Sequence, residues 1–397
     1  MTAGPSAAAL DLDALGAALA GDARLYLEPL GLAGGPSAEA LCTADLARPL
    51  GGSLAGPRLA WTACRVWLRR GARLGCAVAR PSELTGWVER LPPLHRARLA
   101  LWLERSAQDK AVPGMEALGR PAVMGIVNVT PDSFSDGGEA LDPADALHRI
   151  EALIEAGADL IDIGAVSTQP GAEAVAEAEE LRRLAPLLDA VAREGVGDRV
   201  PLSIDTSRAA TMRAALDAGF ALINDVSALA GDPGSLPLLA KRQAPAVLMH
   251  GAAGAGTAVP ADCAALDLFD ALEDRITACE AAGLARAKLV VDPGIAFGKS
   301  GAENLAILER LSLLQGLGCP LLLGVSRKGL TGALDRRYGP RERLPGSLAA
   351  ALRALDRGAQ MLRVHDVAET RQAVEVWRLL AVGADTGDDG RAGQALP

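Results

Sequence analysis

Short apolar runs of five to seven residues recur along the chain from residue 121 onward. The runs are rich in Val, Ile and Leu and are separated by longer, more polar stretches. Runs of this length and composition are typical of strands that are buried on both faces of a parallel sheet. The eight runs cover residues 123–129, 160–166, 201–205, 221–226, 246–250, 288–292, 320–326 and 361–365.

The stretches between these runs have a helical period. Clear examples are residues 142–158, 176–194 and 369–380, in which Ala, Leu and charged residues repeat at helical spacing. Eight strands that alternate with helices over residues 121–380 predict an α/β fold, a (β/α)8 TIM barrel. An open, doubly wound sheet is the alternative, but no G-x-G-x-x-G sequence follows the first run.

The first 115 residues have a different character. Four of the five Trp residues lie there, whereas all four Phe residues lie beyond it, and residues 1–110 carry 13 basic and 10 acidic side chains in an otherwise acidic protein. Apolar stretches broken by Gly and Pro, followed by a predicted helix over 91–110, indicate a small α+β domain. We therefore expect three parts: an N-terminal α+β extension of unknown role (1–115), a barrel (121–382) and a flexible C-terminal tail (383–397). A linker that contains Pro and Gly, over 111–121, joins the first two.

Composition restricts the classes of function. The chain has 40 basic and 49 acidic residues and a net charge of −9, which argues against a nucleic-acid partner. No uncharged apolar run reaches the length of a membrane span, and the N-terminal residues lack the basic segment of a secretory signal, so we expect a cytoplasmic protein. The six Cys residues include no C-x-x-C pair and the four His residues are scattered, so neither a disulfide framework nor a zinc site is expected.

The carboxyl ends of the predicted strands are unusually polar. In a barrel these ends converge on one mouth, where active sites are built. Any single residue there can be explained as a helix cap or a turn, but the whole set is harder to explain in that way. The set comprises Asn128, Asp162, Asp205, Asn224, Asp225, His250, Asp292, Ser326, Arg327, Lys328, Arg363 and His365.

Two kinds of chemistry stand out in this set. Carboxylates and an amide at 205, 224 and 292, together with Lys328, suit a flat heterocycle with donors on one edge and acceptors on another. Arg327, Arg363 and His365 lie around the ends of the last two strands, where barrels bind phosphate groups, and they predict an anion site.

The motifs at these strand ends resemble those of the dihydropteroate synthase family, and the resemblance spans about residues 121–380. In combination these motifs are highly specific. They are MGIVNVTPDSFSDGG (124–138), LIDIGAVSTQPGA (160–172), SIDTSR (203–208), INDVSAL (223–229), LMH (248–250), VVDPGIAFGK (290–299), GVSRKG (324–329) and RVHDVAET (363–370).

The resemblance implies a pterin-binding barrel that joins 4-aminobenzoate to 7,8-dihydropterin-6-ylmethyl diphosphate and releases diphosphate in folate biosynthesis. It also implies Mg²⁺ as cofactor, with Asn128 contacting the metal, small-molecule substrates and a homodimer. Asn128, Lys328, Arg363 and His365 are the implied catalytic residues. By the same resemblance, the pterin is held by Asp205, Asn224, Met249, Asp292, Phe297 and Lys328, and the aminobenzoate and diphosphate side is formed by Thr168, Gln169, Ser326, Arg327, Arg363 and His365.

The chain departs from the family in the second barrel loop. The family usually has Gly-Glu-Ser-Thr-Arg-Pro-Gly there, whereas residues 165–171 read Ala-Val-Ser-Thr-Gln-Pro-Gly and lack both the Glu and the Arg. A non-catalytic pterin-binding paralogue that acts as a binding or regulatory partner is therefore the alternative hypothesis. A methyltransferase on the same barrel is weaker, because it has no use for Asn128, Arg363 and His365 at a diphosphate.

Overall fold

The computed structural model contains two sheets, an eight-stranded parallel one and a five-stranded one that precedes it in the chain. It describes residues 8–19, 23–50, 59–71, 73–129, 143–165, 176–251, 261–329 and 337–382. The thirteen described strands are β1 Ala8–Ala9, β2 Arg24–Ala33, β3 Arg48–Leu50, β4 Leu59–Arg70, β5 Arg73–Ala79, β6 Ala122–Asn128, β7 Leu160–Gly164, β8 Leu202–Asp205, β9 Leu222–Asp225, β10 Ala246–Met249, β11 Leu289–Asp292, β12 Leu322–Leu323 and β13 Met361–Val364.

Helices follow the barrel strands and also flank the smaller sheet. We number the α-helices that the structure describes in chain order. They are α1 Leu12–Ala17, α2 Gly35–Thr43, α3 Pro81–Glu89, α4 Pro93–Ala107, α5 Pro143–Glu155, α6 Glu177–Arg193, α7 Ala209–Asp217, α8 Ser235–Arg242, α9 Ala261–Ala281, α10 Gly301–Glu309, α11 Leu344–Leu355 and α12 Val367–Val382.

The larger sheet is a TIM barrel. Its strand order is β11-β10-β9-β8-β7-β6-β13-β12, all neighbours are parallel, and a bridge between Val291 and Leu321 joins the two ends. All eight strands predicted from the apolar runs are present, although the seventh is only two residues long. The (β/α)8 prediction is confirmed.

The segment predicted as a linker packs against the amino-terminal end of the barrel. Val112 is buried, and it joins an apolar layer formed by the first residues of the barrel strands, such as Ala122, Leu160 and Leu222. Met115 and Leu118 pack against the same layer. Because the core of a TIM barrel is filled by layers of inward-pointing side chains, this segment covers the bottom layer and excludes water from it.

The N-terminal region is a small α+β unit, as predicted. Its sheet has the order β1-β5-β4-β2, with β3 also pairing with β4, and the long central strand β4 is antiparallel to β2 and β5. Trp61, Trp67 and Trp87 are buried around this sheet. The large aromatic side chains provide apolar area for a unit with few residues.

This region packs directly on the barrel through α4 and β2. Trp102 of α4 lies against Gly316, in the seven-residue 3-10 segment Leu311–Leu317 that precedes β12. The Tyr26 hydroxyl donates to Asp270 Oδ2 at 2.7 Å, and the Tyr26 and Phe269 rings meet edge to face at 5.9 Å. Ser312 Oγ of the barrel donates to the carbonyl of Pro29 at 2.9 Å. One continuous apolar core therefore includes residues of both sheets.

Candidate active site

Asp205, Asn224 and Asp292 are the last or next-to-last residues of β8, β9 and β11, and all three are buried. The strands that carry them are four residues long and buried throughout, so these polar side chains lie where the buried strands end. Parallel pairing in register sets Asp205 beside Asn224. The barrel thus brings the predicted heterocycle-binding residues to one mouth.

Arg363 lies inside this mouth, between two carboxylates. Its Nε donates to Asp162 Oδ2 at 2.7 Å, and its Nη2 donates to Asp205 Oδ2 at 2.9 Å. Burial alone lowers the pKa of Arg363, but Asp162 and Asp205 outweigh that effect and raise it. Burial raises the pKa of the Asp205 carboxyl, and the charge of Arg363 opposes this rise. Nη1 of Arg363 has no hydrogen-bond partner within the described part of the chain.

Asp292 and Lys328 form a wall of the same mouth, close to Arg363. Oδ1 of Asp292 accepts from the backbone N–H of Gly294 at 2.7 Å, and Lys328 Nζ donates to the carbonyl of Ile295 at 2.9 Å. Burial raises the pKa of Asp292, and Lys328 counters that rise. Burial likewise lowers the pKa of Lys328 to about 8, although Asp292 favours its charged form. The wall therefore contains a buried carboxylate and a half-buried lysine whose charges partly compensate each other.

Two glycines make room for these side chains. A Cβ on Gly164 would lie 3.2 Å from Cβ of Asp205, which is tighter than nearly all real contacts. A Cβ on Gly324 would lie 3.8 Å from Lys328 Nζ and 3.9 Å from Asp292 Oδ2. Cβ of Arg363 would also lie 3.8 Å from that atom, so Lys328, Asp292 and Arg363 meet around Gly324.

Phe297 and Met249, the predicted face-packing residues, lie next to this wall. Lys328 Nζ sits 4.5 Å from the centroid of the Phe297 ring, a cation–π distance. Met249 is buried at the end of β10, and its Cγ would be 3.2 Å from a Cβ on Gly294. Flat apolar surface and charged hydrogen-bonding groups therefore occur together, as recognition of a flat polar ring requires.

The loop that carries Phe297 is held by Lys299. Its Nζ donates to the carbonyls of His250 and Gly294 at 2.8 Å each and to that of Phe297 at 3.3 Å. Burial lowers the pKa of Lys299 to about 8. Lys299 joins the ends of β10 and β11 through backbone carbonyls.

His365 and Ser326 occupy the predicted anion corner. Ser326 Oγ accepts from the backbone N–H of His365 at 3.1 Å and lies 3.2 Å from Nδ1 of the same residue. Burial, followed by the charges of Arg327 and Arg363, lowers the pKa of His365 to about 4. At neutral pH the imidazole is uncharged, so an N–H of the ring can donate a hydrogen bond without carrying a positive charge.

Arg327, which was predicted to bind an anion, forms an ion pair within the protein instead. Its guanidinium forms a two-pronged ion pair with Asp366, in which Nε lies 3.0 Å from Oδ2. Its backbone has a φ of 59°, and its N–H donates to Ser347 Oγ at 2.8 Å. The pairing leaves less of the Arg327 charge for an incoming anion than the sequence suggests.

Of the remaining predicted residues, the structure describes only Asn128. Asn128 ends β6 and is exposed. Thr168 and Gln169 fall outside the described residues, as does the segment 130–138. Within the described ranges no group of three or more His, Cys, Asp or Glu side chains is arranged to hold a metal ion, and no helix there is long and apolar enough to cross a membrane.

Two residues of the site received no role from the sequence. Asp162 was one of twelve polar residues assigned to the strand ends as a set, and Lys299 was the last residue of the VVDPGIAFGK motif. Their contacts are to residues tens to hundreds of positions away, such as Arg363 for Asp162 and His250 for Lys299. A carboxylate within an otherwise apolar run was the available signal for Asp162, whereas no local signal marked Lys299.

Comparison with known proteins agrees with this geometry. The family model described as "Pterin binding enzyme" matches residues 124–365. The dihydropteroate synthase of Escherichia coli K12 is 42% identical over 262 residues, which cover 65% of this chain and 91% of that protein. A probable bifunctional folylpolyglutamate synthase/dihydropteroate synthase of Haloferax volcanii is 43% identical over 64% of this chain, but the chain spans only 30% of its length.

Solved structures give the same result. Xanthomonas albilineans dihydropteroate synthase with 4-aminobenzoic acid is 47% identical, with a TM-score of 0.61, and the match covers 66% of this chain and 93% of that one. The same enzyme in complex with 7,8-dihydropteroate gives 46% identity, a TM-score of 0.58 and coverage of 66% and 94%. Because the family model and the sequence identity to these enzymes both cover the barrel, the chain belongs to the dihydropteroate synthase family of pterin-binding enzymes.

Proposed function

We propose that this chain condenses 7,8-dihydropterin-6-ylmethyl diphosphate with 4-aminobenzoate to give 7,8-dihydropteroate and diphosphate in folate biosynthesis. The family relationship supports the reaction class, and the ligands of the Xanthomonas albilineans enzyme support the substrate class. The observation that carries the proposal is the convergence of Asp205, Asn224, Asp292 and Lys328 on one mouth beside Arg363.

These residues suit the pterin ring. In this proposal the Asp292 carboxylate accepts from the two parallel N–H groups of the amino-pyrimidine part of the ring, and the Lys328 ammonium donates to a ring carbonyl or ring nitrogen. Phe297 and Met249 contact the flat faces. Support comes from the burial of Asp292 and from its nearness to Lys328 across Gly324.

The reaction needs no protein nucleophile. The lone pair of the aminobenzoate nitrogen attacks the pterin methylene carbon while the carbon–oxygen bond to diphosphate breaks. The electron pair of that bond leaves on the diphosphate oxygen, and the nitrogen loses a proton. Donors fixed where negative charge accumulates lower the barrier most. Suitable donors are the imidazole of His365 and Nη1 of Arg363, which bonds to none of the described residues.

Mg²⁺ is part of this proposal, with Asn128 as its contact. Mg²⁺ prefers oxygen ligands and is usually held by few protein groups together with water and substrate phosphates. The exposed amide at the end of β6 offers one such oxygen at the mouth, so the donor chemistry fits. When bound, the ion would neutralise charge that develops on the diphosphate.

We also propose a cytoplasmic homodimer. Val376 and Leu379 lie three residues apart on α12, and Leu380 follows directly, with exposed fractions of 52%, 62% and 82%. An exposed apolar helix face favours association with a second copy. The buried thiols Cys64, Cys279 and Cys319 are free rather than in disulfides, which suits a reducing compartment. Sedimentation of the full-length chain, compared with L379E/L380E, tests the dimer.

The reaction is tested by incubating the full-length protein with both substrates and Mg²⁺ and identifying 7,8-dihydropteroate by mass spectrometry. Formation of the product establishes the synthase. Binding of the dihydropterin without any product would instead support the alternative, a non-catalytic pterin-binding paralogue, and would direct attention to Val166 and Gln169 in the second loop.

A further inference from the structure

Asp162 is a fully buried carboxylate in the middle of β7, and none of the roles above uses it. Its Oδ2 accepts two hydrogen bonds from side chains of the mouth. Nε of Arg363 lies 2.7 Å away, and Nδ2 of Asn224 lies 2.9 Å away. Its other oxygen, Oδ1, is buried and has no hydrogen-bond partner among the residues that the structure describes.

We propose that Asp162 is a positioning residue that sets the direction of both the Arg363 guanidinium and the Asn224 amide. The inference deepens the proposed function and rests on it. Asp162 contacts no substrate itself, because it lies below the mouth with no exposed surface. It acts through two residues on β9 and β13 that the sequence assigned to substrate binding.

The argument for Asn224 is one of hydrogen-bond polarity. An ionised carboxylate only accepts hydrogen bonds, so the amide of Asn224 must turn its NH2 group toward Asp162. The amide oxygen and one N–H then remain for a ligand. A ligand edge that satisfies both must place a donor beside an acceptor, as the amino-pyrimidine edge of a pterin does. A neutral partner at position 162 would remove this constraint, because the two ends of an amide differ little in shape.

The argument for Arg363 is one of geometry. A guanidinium has five N–H groups in a rigid plane. Asp162 takes the one on Nε and Asp205 takes one on Nη2, which fixes the plane at two points. The two N–H groups of Nη1 and the second of Nη2 remain, and they can donate to an anion as a planar fork. Loss of Asp162 leaves a single anchor, about which the guanidinium can turn.

Asp225 provides a matched control. It is also a fully buried carboxylate, and it ends β9 immediately after Asn224. Its hydrogen bonds go to Ser207, Ser227 and the backbone N–H of Leu229, which close a turn outside the binding set. D225N therefore removes a buried charge of the same kind without releasing Arg363 or Asn224.

The test measures the affinities of 6-hydroxymethyl-7,8-dihydropterin and of its diphosphate by calorimetry for wild type, D162N and D225N. For D162N we expect weaker binding of the dihydropterin by about tenfold or more, because Asn224 loses its fixed polarity. We also expect the affinity gained from the diphosphate to shrink, because Arg363 loses an anchor. D225N lowers the melting temperature but leaves the ratio of the two affinities unchanged.

Two outcomes overturn the inference. One is wild-type affinity for both ligands in D162N, and the other is an equal loss in D162N and D225N, which would indicate a general structural effect. D162S, which leaves room for water in place of the carboxylate, carries the same expectation if D162N does not fold. A wild-type chain that binds neither ligand would instead contradict the proposed function.

Discussion

The indole of Trp102 occupies the space that a side chain on Gly316 would need. A Cβ built on Gly316 would lie 1.7 Å from Nε1 of Trp102, so α4 of the N-terminal region and the barrel approach each other more closely than any other residue at 316 permits. The segment around Gly316, residues 311–317, is buried throughout. The N-terminal region is therefore packed as part of the barrel's outer layer.

We predict that G316A lowers the free energy of unfolding by about 1–3 kcal/mol, the usual cost of overpacking. Chemical denaturation of the full-length chain measures this change. The control is G346A in the first turn of α11, where a Cβ would meet nothing within 4 Å, so stability should stay the same or rise by up to about 1 kcal/mol. Equal effects of the two substitutions would contradict the packing argument.

Deletion of residues 1–109 should produce a poorly soluble barrel with a lower melting temperature. The deletion keeps Val112 beneath the barrel but exposes Phe269, Leu313 and Leu314, which are now buried. It also leaves Asp270 and Glu273 without the Arg24 and Arg98 partners that they have now. Differential scanning fluorimetry and the soluble yield report both effects, and a truncated chain as stable as the full one would rule the expectation out.

Much of this architecture was predictable because it depends on local pattern. The eight strands follow from apolar runs of fixed length, and Asp205, Asn224 and Asp292 follow from their places at strand ends. The contact of Trp102 with Gly316 and the bonds of Asp162 to Asn224 and Arg363 were not predictable. They join positions far apart in sequence, and no periodicity records which side chains meet across a folded interior.

D292N should weaken binding of 6-hydroxymethyl-7,8-dihydropterin by about tenfold or more. The substituted amide has nearly the same shape but offers one acceptor where the pterin presents two donors, and a mismatched buried group costs about 1–3 kcal/mol. The melting temperature should change little in comparison, because Oδ1 can still accept from Gly294 N–H. Calorimetry gives the affinity, and an unchanged dissociation constant would remove Asp292 from pterin recognition.

The affinity for the dihydropterin should fall as the pH rises through about 8. Burial lowers the pKa of Lys328 to about 8, so its ammonium is charged below that value and loses its charge above it, and only the charged form is a strong donor. Calorimetry with 6-hydroxymethyl-7,8-dihydropterin at a series of pH values measures this fall, and kcat/KM for the diphosphate substrate should show the same decrease at alkaline pH in the free enzyme.

Lys299 is the competing explanation for the decrease at alkaline pH (the alkaline limb of the profile), because its pKa is also lowered to about 8. K328R should abolish the alkaline limb, since a guanidinium stays charged, whereas K299R should retain it. The opposite pattern would assign the limb to the loop that Lys299 holds.

H365A should reduce kcat/KM for the diphosphate substrate by about ten- to a hundredfold, the range for a lost hydrogen bond to a charged group. The affinity for 6-hydroxymethyl-7,8-dihydropterin, which lacks the diphosphate, should stay the same. Because the pKa of His365 is lowered to about 4, its loss should not alter the pH profile between 6 and 8. An equal loss of affinity for both ligands would place His365 in pterin binding instead.

The most direct test of the account is the rate of diphosphate release by the full-length protein with 7,8-dihydropterin-6-ylmethyl diphosphate and Mg²⁺, measured with and without 4-aminobenzoate. The account predicts release that depends on aminobenzoate and that falls in H365A. Release at the same rate without aminobenzoate, or no release from a chain that still binds the dihydropterin, would contradict it.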